Sequence, residues 1–272
     1  MSHGGDTGAP DGTGSDPARR FASTVALYRR YRPRYPPAFI AEVAEHLGLD
    51  GTGRLLDLGC GPGFLAIALR PYVAEAIAMD PEPLMLEAAR EEVAAADLDV
   101  RVARGSSSAL APLRLCAMGR SFHWMDRSAT LATLDRLIEP EGAVVLFRST
   151  SPDVPENAWR VLPRAVGDGF APDPGHPRER QQGRHDHLPV LRASPFARVE
   201  TVTHRLARRV SIEEVIGLTL SKSSTSPARL GPRRPPFERA LADALAPFAT
   251  DGLLAEVLEF EALVARRPQP GS

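Results

Sequence analysis

The stretch "LLDLGCGPGFLAIAL", residues 55–69, decides the fold. Its first residues form a short apolar run, as a buried strand does. Its last residues begin a helix that Pro71 stops. Between them lies Asp57-Leu-Gly59-Cys-Gly61-Pro-Gly63. Glycines at this spacing allow a tight turn and let a ligand come close to the backbone at a helix N-terminus. A nucleotide dehydrogenase is the usual owner of such a turn. Here the pattern is D-x-G-x-G-x-G, and the leading acid would repel a pyrophosphate but suit an ammonium.

Reading outward, "EAIAMD" is strand-like and ends at Asp80, and "EPLMLEAAREEVAAA" is strongly helical. A carboxylate at the end of a second strand accepts hydrogen bonds from a ribose diol, or caps the helix that follows. Two acids flanking a glycine turn therefore fit a ligand with an amine at one end and a ribose at the other. "DVRVARG", "LRLCAMG" and "GAVVLF" read as further strands, and "RSATLATLDRLI" as a helix with Asp126 as its N-cap. Upstream, "PPAFIAEVAEHLGL" is a helix closed by Gly48. Strand and helix in alternation predict βαβ units and a doubly wound α/β domain, a mostly parallel Rossmann-like sheet covered on both faces.

The remainder is divided by texture. Residues 1–17, rich in Gly, Ser, Asp and Pro, are expected to form a disordered tail, with the core at 18–150. Residues 151–190 are full of Pro, Gly, Asp and His, with at most one short helix near Asn157–Val166, and are expected to be an inserted cap over the substrate. Residues 191–268 complete the sheet: "FARVETVTHRLARRV" is a strand, "SIEEVIGLTLS" a helix capped by Ser211, "FERALADALAPF" a helix, and "AEVLEFEALVARR" a strand with helical ambiguity.

Composition excludes several classes. The charged fraction is 25% and the formal net charge −1, so no global field favours nucleic acid or an anionic membrane. Of 33 cationic side chains, Lys222 alone is a lysine. Cys60 and Cys116 lie in apolar, strand-like contexts, which argues against a disulfide framework and for a reducing, cytoplasmic setting. No apolar run is long enough to span a bilayer. His176, His185 and His187 have irregular spacing and no cysteine partner, so no metal is expected.

At its glycine turn, at "DPEPLMLEAAR" from Asp80, at "RGSSSAL", at "GRSFHW" and at "YRRYRPRYP" (Tyr28–Pro36), the sequence resembles the class I S-adenosylmethionine-dependent methyltransferases acting on small molecules. The likeness extends through "LTLSKSSTS" and "EALVARRP", over residues 21–268. It points toward secondary-metabolism enzymes such as the gentamicin-pathway aminoglycoside N-methyltransferase. It implies S-adenosyl-L-methionine as cofactor and a monomer or homodimer with a small-molecule acceptor. Asp57 is then expected beside the methionine end, with Gly59, Gly61 and Gly63 lining the turn. Asp80 and Pro81 would serve the ribose, and Ser106 and Ser107 the adenine, where many members carry Asp. Gly119 and Arg120 would turn backbone carbonyls to the methionine moiety. Tyr28 and Arg32 would close over the cofactor, Arg32 pairing its carboxylate.

For the acceptor, His123 and Trp124 follow the fourth strand, at the carboxyl end of the sheet where such folds bind ligands. His123, His185 and Asp186 are candidate bases for an amine acceptor. Asp153, Glu156, Asp173, Glu179 and Asp186 would attract a polycationic aminosugar, Trp159 would cover a sugar face, and His187 would join them. The competing readings are an O- or C-methyltransferase of another metabolite and a cofactor-binding protein without transferase activity.

Overall fold

The computed structural model describes residues 25–105, 110, 112–170, 186–222 and 224–269. The expected tail, Ser106, Ser107, His176 and His185 lie outside them.

A seven-stranded sheet runs in the order β3-β2-β1-β4-β5-β7-β6. The strands are β1 (Arg54–Leu58), β2 (Glu75–Asp80), β3 (Val100–Arg104), β4 (Leu113–Gly119), β5 (Ile138–Thr150), β6 (Arg198–Ser211) and β7 (Leu253–Arg266). The first five pair in parallel, and β7 runs antiparallel to both β5 and β6. This is the α/β Rossmann-like architecture expected from the alternation of elements.

The central strands are apolar on both faces because both faces are covered. Leu55 in β1, Leu115 and Ala117 in β4, and Val145 and Phe147 in β5 enter one core. Their neighbours Leu56, Cys116, Met118, Val144 and Leu146 enter the other. The period of two along each strand produces this division. After α1 (Val25–Tyr31), helix α2 (Pro37–Leu47) brings Phe39, Ile40 and Val43 to the first core. Pro37 starts α2, and Gly48, at φ 63°, ends it. Helices α3 (Phe64–Leu69) and α4 (Pro83–Ala96) lie over the same core, through Leu65 and Leu86. Helix α5 (Arg127–Leu137) packs Leu131 and Leu134 on the opposite face. Asp126 caps it, accepting from Ala129 N–H at 3.0 Å.

In the C-terminal region "AEVLEFEALVARR" is strand as far as Arg266, which removes its helical ambiguity; β6 and β7 are each 14 residues long and paired along their whole length. Buried and less buried residues alternate in β7, so the sheet period prevails over its helix-forming glutamates and alanines. Residues 151–170 hold the one short helical segment expected near Asn157–Val166. A 3₁₀ turn, Pro155–Val161, leads into α6 (Leu162–Gly169). Asn157 fastens this turn to β7, donating to Val257 C=O at 2.9 Å and accepting from Val257 N–H at 3.0 Å. After α7 (Leu188–Arg192) come α8 (Ile212–Leu220), α9 (Pro227–Leu230) and α10 (Arg234–Leu245). They bury Val215, Leu220, Leu230, Phe237 and Leu241 with Trp159 in a third cluster, against Val210 and Leu254 of the long strands.

Candidate active site

Gly59, Gly61 and Gly63 take φ values of 71°, 53° and 78°, a left-handed region costly to other residues. At Gly59 a side chain is also excluded by contact, since its Cβ would stand 2.5 Å from Ser121 Cβ. Ser121 belongs to the turn after β4 and donates to Leu58 C=O at 2.7 Å, locking the ends of β1 and β4 together. At Gly61 a Cβ would meet only Met85 Sδ at 3.9 Å, so this side of the turn is open to a ligand.

Two carboxylates flank the turn. Asp80 is nearly buried, accepting from Gly61 N–H and Glu82 N–H at 2.9 Å each. It holds the turn; the N-cap of α4 is Glu82. Burial raises the Asp80 carboxyl against those two N–H donors. Asp57 is 1% exposed, with Oδ2 accepting from Ala66 N–H at 3.0 Å and Oδ1 buried without a hydrogen-bond partner. Burial, with the charge of Asp80 nearby, pushes the Asp57 carboxyl up to about 7. A buried orphan acceptor is expensive unless a donor comes to it. The cofactor's ammonium is such a donor, so Asp57, Asp80 and the glycine cradle fit S-adenosylmethionine.

Arg120, just beyond β4, has a positive φ of 58°. Its side chain, expected to matter only through its backbone, is the prominent feature. Nη2 donates to Pro33 C=O at 3.2 Å and to Ser149 Oγ at 3.0 Å, and the guanidinium lies 5.2 Å from the Tyr35 ring centroid. It also hydrogen-bonds Tyr28. Arg32 lies 4.9 Å from the centroid of the Tyr28 ring and donates through Nε to Ser221 Oγ at 3.2 Å. Tyr28, Arg32 and Arg120 thus form one assembly at the carboxyl end of the sheet.

His123 and Trp124 occupy a 3₁₀ turn, Phe122–Trp124, whose Phe122 is buried. Their ring centroids are 4.8 Å apart, His123 half-buried and Trp124 43% exposed. His187 reaches the same turn, its ring 5.2 Å from that of Phe122. Asp186 is exposed, its carbonyl accepting from Arg127 at 2.9 Å.

The expected acceptor residues are otherwise scattered. Trp159 is 3% exposed and donates to Ala255 C=O at 2.7 Å, so it is a core residue and cannot cover a sugar face. Asp153 and Glu156 face solvent on the turn leading to it. Asp173 and Glu179 lie outside the described residues. Among the described residues no three His, Cys, Asp or Glu gather as a metal site, and no helix is long and apolar enough to cross a membrane.

A cavity of about 140 Å³ escaped the sequence reading. Arg32, Arg120, Arg160 and Lys222 line it, with Ser149 and Thr150 at the end of β5. The one signal for it in the sequence was Lys222, the chain's single lysine. A larger cavity of about 430 Å³, between α5 and α7, is lined by no ionisable side chain among the described residues.

Residues 55–142 match a family model described as a methyltransferase domain. An uncharacterized methyltransferase of Mycobacterium tuberculosis is 27% identical over 221 residues, covering 79% of this chain and 82% of its own length. An uncharacterized methyltransferase of Schizosaccharomyces pombe is 32% identical over 137 residues, 47% of this chain, which spans only 52% of that protein. A trans-aconitate 2-methyltransferase of an Enterobacter species is 32% identical over 175 residues, 61% of this chain and 65% of its own. A solved structure from Anaeromyxobacter dehalogenans, described as a candidate type II methyltransferase, shares the fold. Its TM-score is 0.57 at 18% identity, over 87% of this chain and 98% of that one. The match over residues 55–142 and the named relatives agree with the glycine turn in supporting S-adenosylmethionine-dependent methyltransferase activity. Enzymes with that activity take their methyl group from S-adenosylmethionine.

Proposed function

We propose that the chain transfers this methyl group to a small molecule held at the carboxyl end of the sheet, beside the turns after β4 and β5. The observation that carries the reading is the orphan Oδ1 of buried Asp57 next to the glycine turn. When bound, the cofactor supplies a methyl already activated as a sulfonium, so no protein nucleophile is needed. In this reading Asp57 takes the ammonium and Asp80 the ribose hydroxyls. Gly61 and Pro81 admit the cofactor to the turn, and Arg32 pairs with its carboxylate. His123 and Trp124 wall the acceptor side.

An aminoglycoside amine, the acceptor suggested by the resemblance and by the acids of residues 151–190, draws little support from the described residues. Asp153, Glu156 and Asp186 are all exposed and form no cluster. Calorimetry with S-adenosylhomocysteine tests cofactor binding, and release of that product in the presence of an acceptor panel tests transfer. Binding with no turnover on any acceptor would favour a cofactor-binding protein instead.

A further inference from the structure

Among the described residues, no carboxylate lines the cavity bounded by Arg32, Arg120, Arg160 and Lys222. Arg32 and Arg120 have only neutral hydrogen-bond partners among the described residues: Ser221, Tyr28, the carbonyl of Pro33 and Ser149. Lys222 has no hydrogen bond or ion pair from its ammonium among them. Burial, with the charges of Arg32 and Arg160, lowers that ammonium to about 8. Arg160 alone is paired, with Glu256. Glu256 is 2% exposed and is shared with Arg208, at 2.5 Å. One carboxylate thus serves two guanidiniums and leaves little charge for the cavity.

Gathering cations out of water without counterions is costly, and a fold retains such a cluster where a ligand supplies the anions. Cofactor binding alone does not balance it. S-adenosylmethionine brings one carboxylate, which Arg32 takes under the reading above, while its ammonium and sulfonium are positive. The charge on Arg120 and Lys222, with that of Arg160 only partly met by the shared Glu256, is left for the second substrate. The hydroxyls of Ser149 and Thr150 add neutral donors on the same wall.

We infer that the acceptor is a small acid with more than one carboxylate, one anchored by Lys222 and Arg160 and another methylated to an ester. The inference deepens the methyltransferase reading and rests on it. Size agrees, since about 140 Å³ is well below the roughly 300–1,000 Å³ of pockets for drug-sized ligands. It suits the head of a compact acid better than a multi-ring aminosugar, whose ammonium groups these cations would repel. The step balances without a base. An oxygen lone pair of the free carboxylate forms the new bond to the methyl carbon, and the methyl–sulfur bond breaks with its electron pair left on sulfur. The carboxylate's negative charge and the sulfonium's positive charge disappear together, and no proton moves.

The test uses the full chain. Calorimetry with S-adenosylhomocysteine comes first; no binding would overturn the methyltransferase reading and this inference with it. Methyl-labelled S-adenosylmethionine is then supplied with succinate, citrate, trans-aconitate, spermidine or kanamycin. The expected result is label on an acid, released as volatile methanol by mild alkali. Lys222→Met should raise the KM for that acid by about tenfold or more, the loss of one charged hydrogen bond. Lys222→Arg should restore part of it, and the KM for the acid should change by more than the Kd for S-adenosylhomocysteine does. Citrate should raise the melting temperature of the wild type more than that of Lys222→Met, a readout independent of turnover. Should S-adenosylhomocysteine bind while every acid is neither methylated nor stabilising, the polycarboxylate inference alone falls. Alkali-stable label on spermidine or kanamycin, or an acid KM unmoved in Lys222→Met, overturns it too.

Discussion

Replacing Asp57 by Asn separates the two demands placed on this residue. The side chain is 1% exposed, with one oxygen bound to Ala66 N–H and the other unpartnered. Asn keeps the shape and the acceptor for Ala66 but removes the charge. In the fold the carboxyl is pushed up to about 7, mainly by burial. An exposed aspartate titrates near about 3.9, so ionising Asp57 inside the fold costs about 4 kcal/mol. The native state holds this proton more tightly than the unfolded chain. The resulting penalty is absent in acid, grows as pH rises from about 4 to 7, and is complete above 7. Asp57→Asn should therefore be more stable than wild type by up to about 4 kcal/mol at pH 8, by about 1.5 at pH 5, and by nothing near pH 3. Urea melts across that range measure the difference. The same variant should bind S-adenosylhomocysteine at least about tenfold more weakly at pH 8, having lost its partner for the ammonium. A variant less stable than wild type at pH 8, or one with unaltered affinity, would refute the reasoning.

Three other outcomes follow from the geometry. Gly59→Ala would set its Cβ 2.5 Å from Ser121 Cβ at a φ of 71°, and should lose about 2–4 kcal/mol in thermal or urea melts. Lys222, lowered to about 8 by burial beside Arg32 and Arg160, loses its charge as pH rises through that value. The KM for an acid acceptor should then rise by about tenfold between pH 7 and 9, while stability increases between about 8 and 10.5, where the unfolded chain binds the extra proton. Lys222→Met should show neither slope. His123→Ala should lower kcat by less than about tenfold and leave the pH–rate profile in place, because a carboxylate acceptor arrives already ionised. A fall of about a hundredfold with a lost basic limb would make His123 a base.

The parts of this molecule legible in its sequence are those governed by local rules. Asp57 and the three glycines announce a strand, a turn and a helix because no other residues tolerate that backbone. Asp126 announces a helix because its carboxylate satisfies an N–H that the helix leaves open. Trp159 was misread because its surroundings are rich in Pro, Gly and Asp, which suggests a solvated loop. What buries it is β7, about a hundred residues away in sequence, whose Ala255 carbonyl takes its indole proton. The cation cluster was invisible for the same reason. Arg32, Arg120, Arg160 and Lys222 come from four separate segments, and nothing local to any of them shows that they meet.

The site also separates its charges along one direction. Asp57 and Asp80 stand at the ends of β1 and β2, both raised by burial. Arg120 follows β4, and Arg32 and Lys222 gather with it beside the end of β5. Each set is costly alone, and the two stand at different strands of the sheet. A ligand that is positive at one end and negative at the other relieves both penalties in one orientation only; reversed, it adds repulsion at each end. The amino-acid end of the cofactor is such a ligand, so its orientation is set by charge before shape is consulted. Its single carboxylate still leaves the cationic side in excess, and that excess selects the second substrate. A neutral phenol would leave the cations unpaired, and an amine would compete with them. An acid completes the balance, arrives ionised, and removes the need for any protein base.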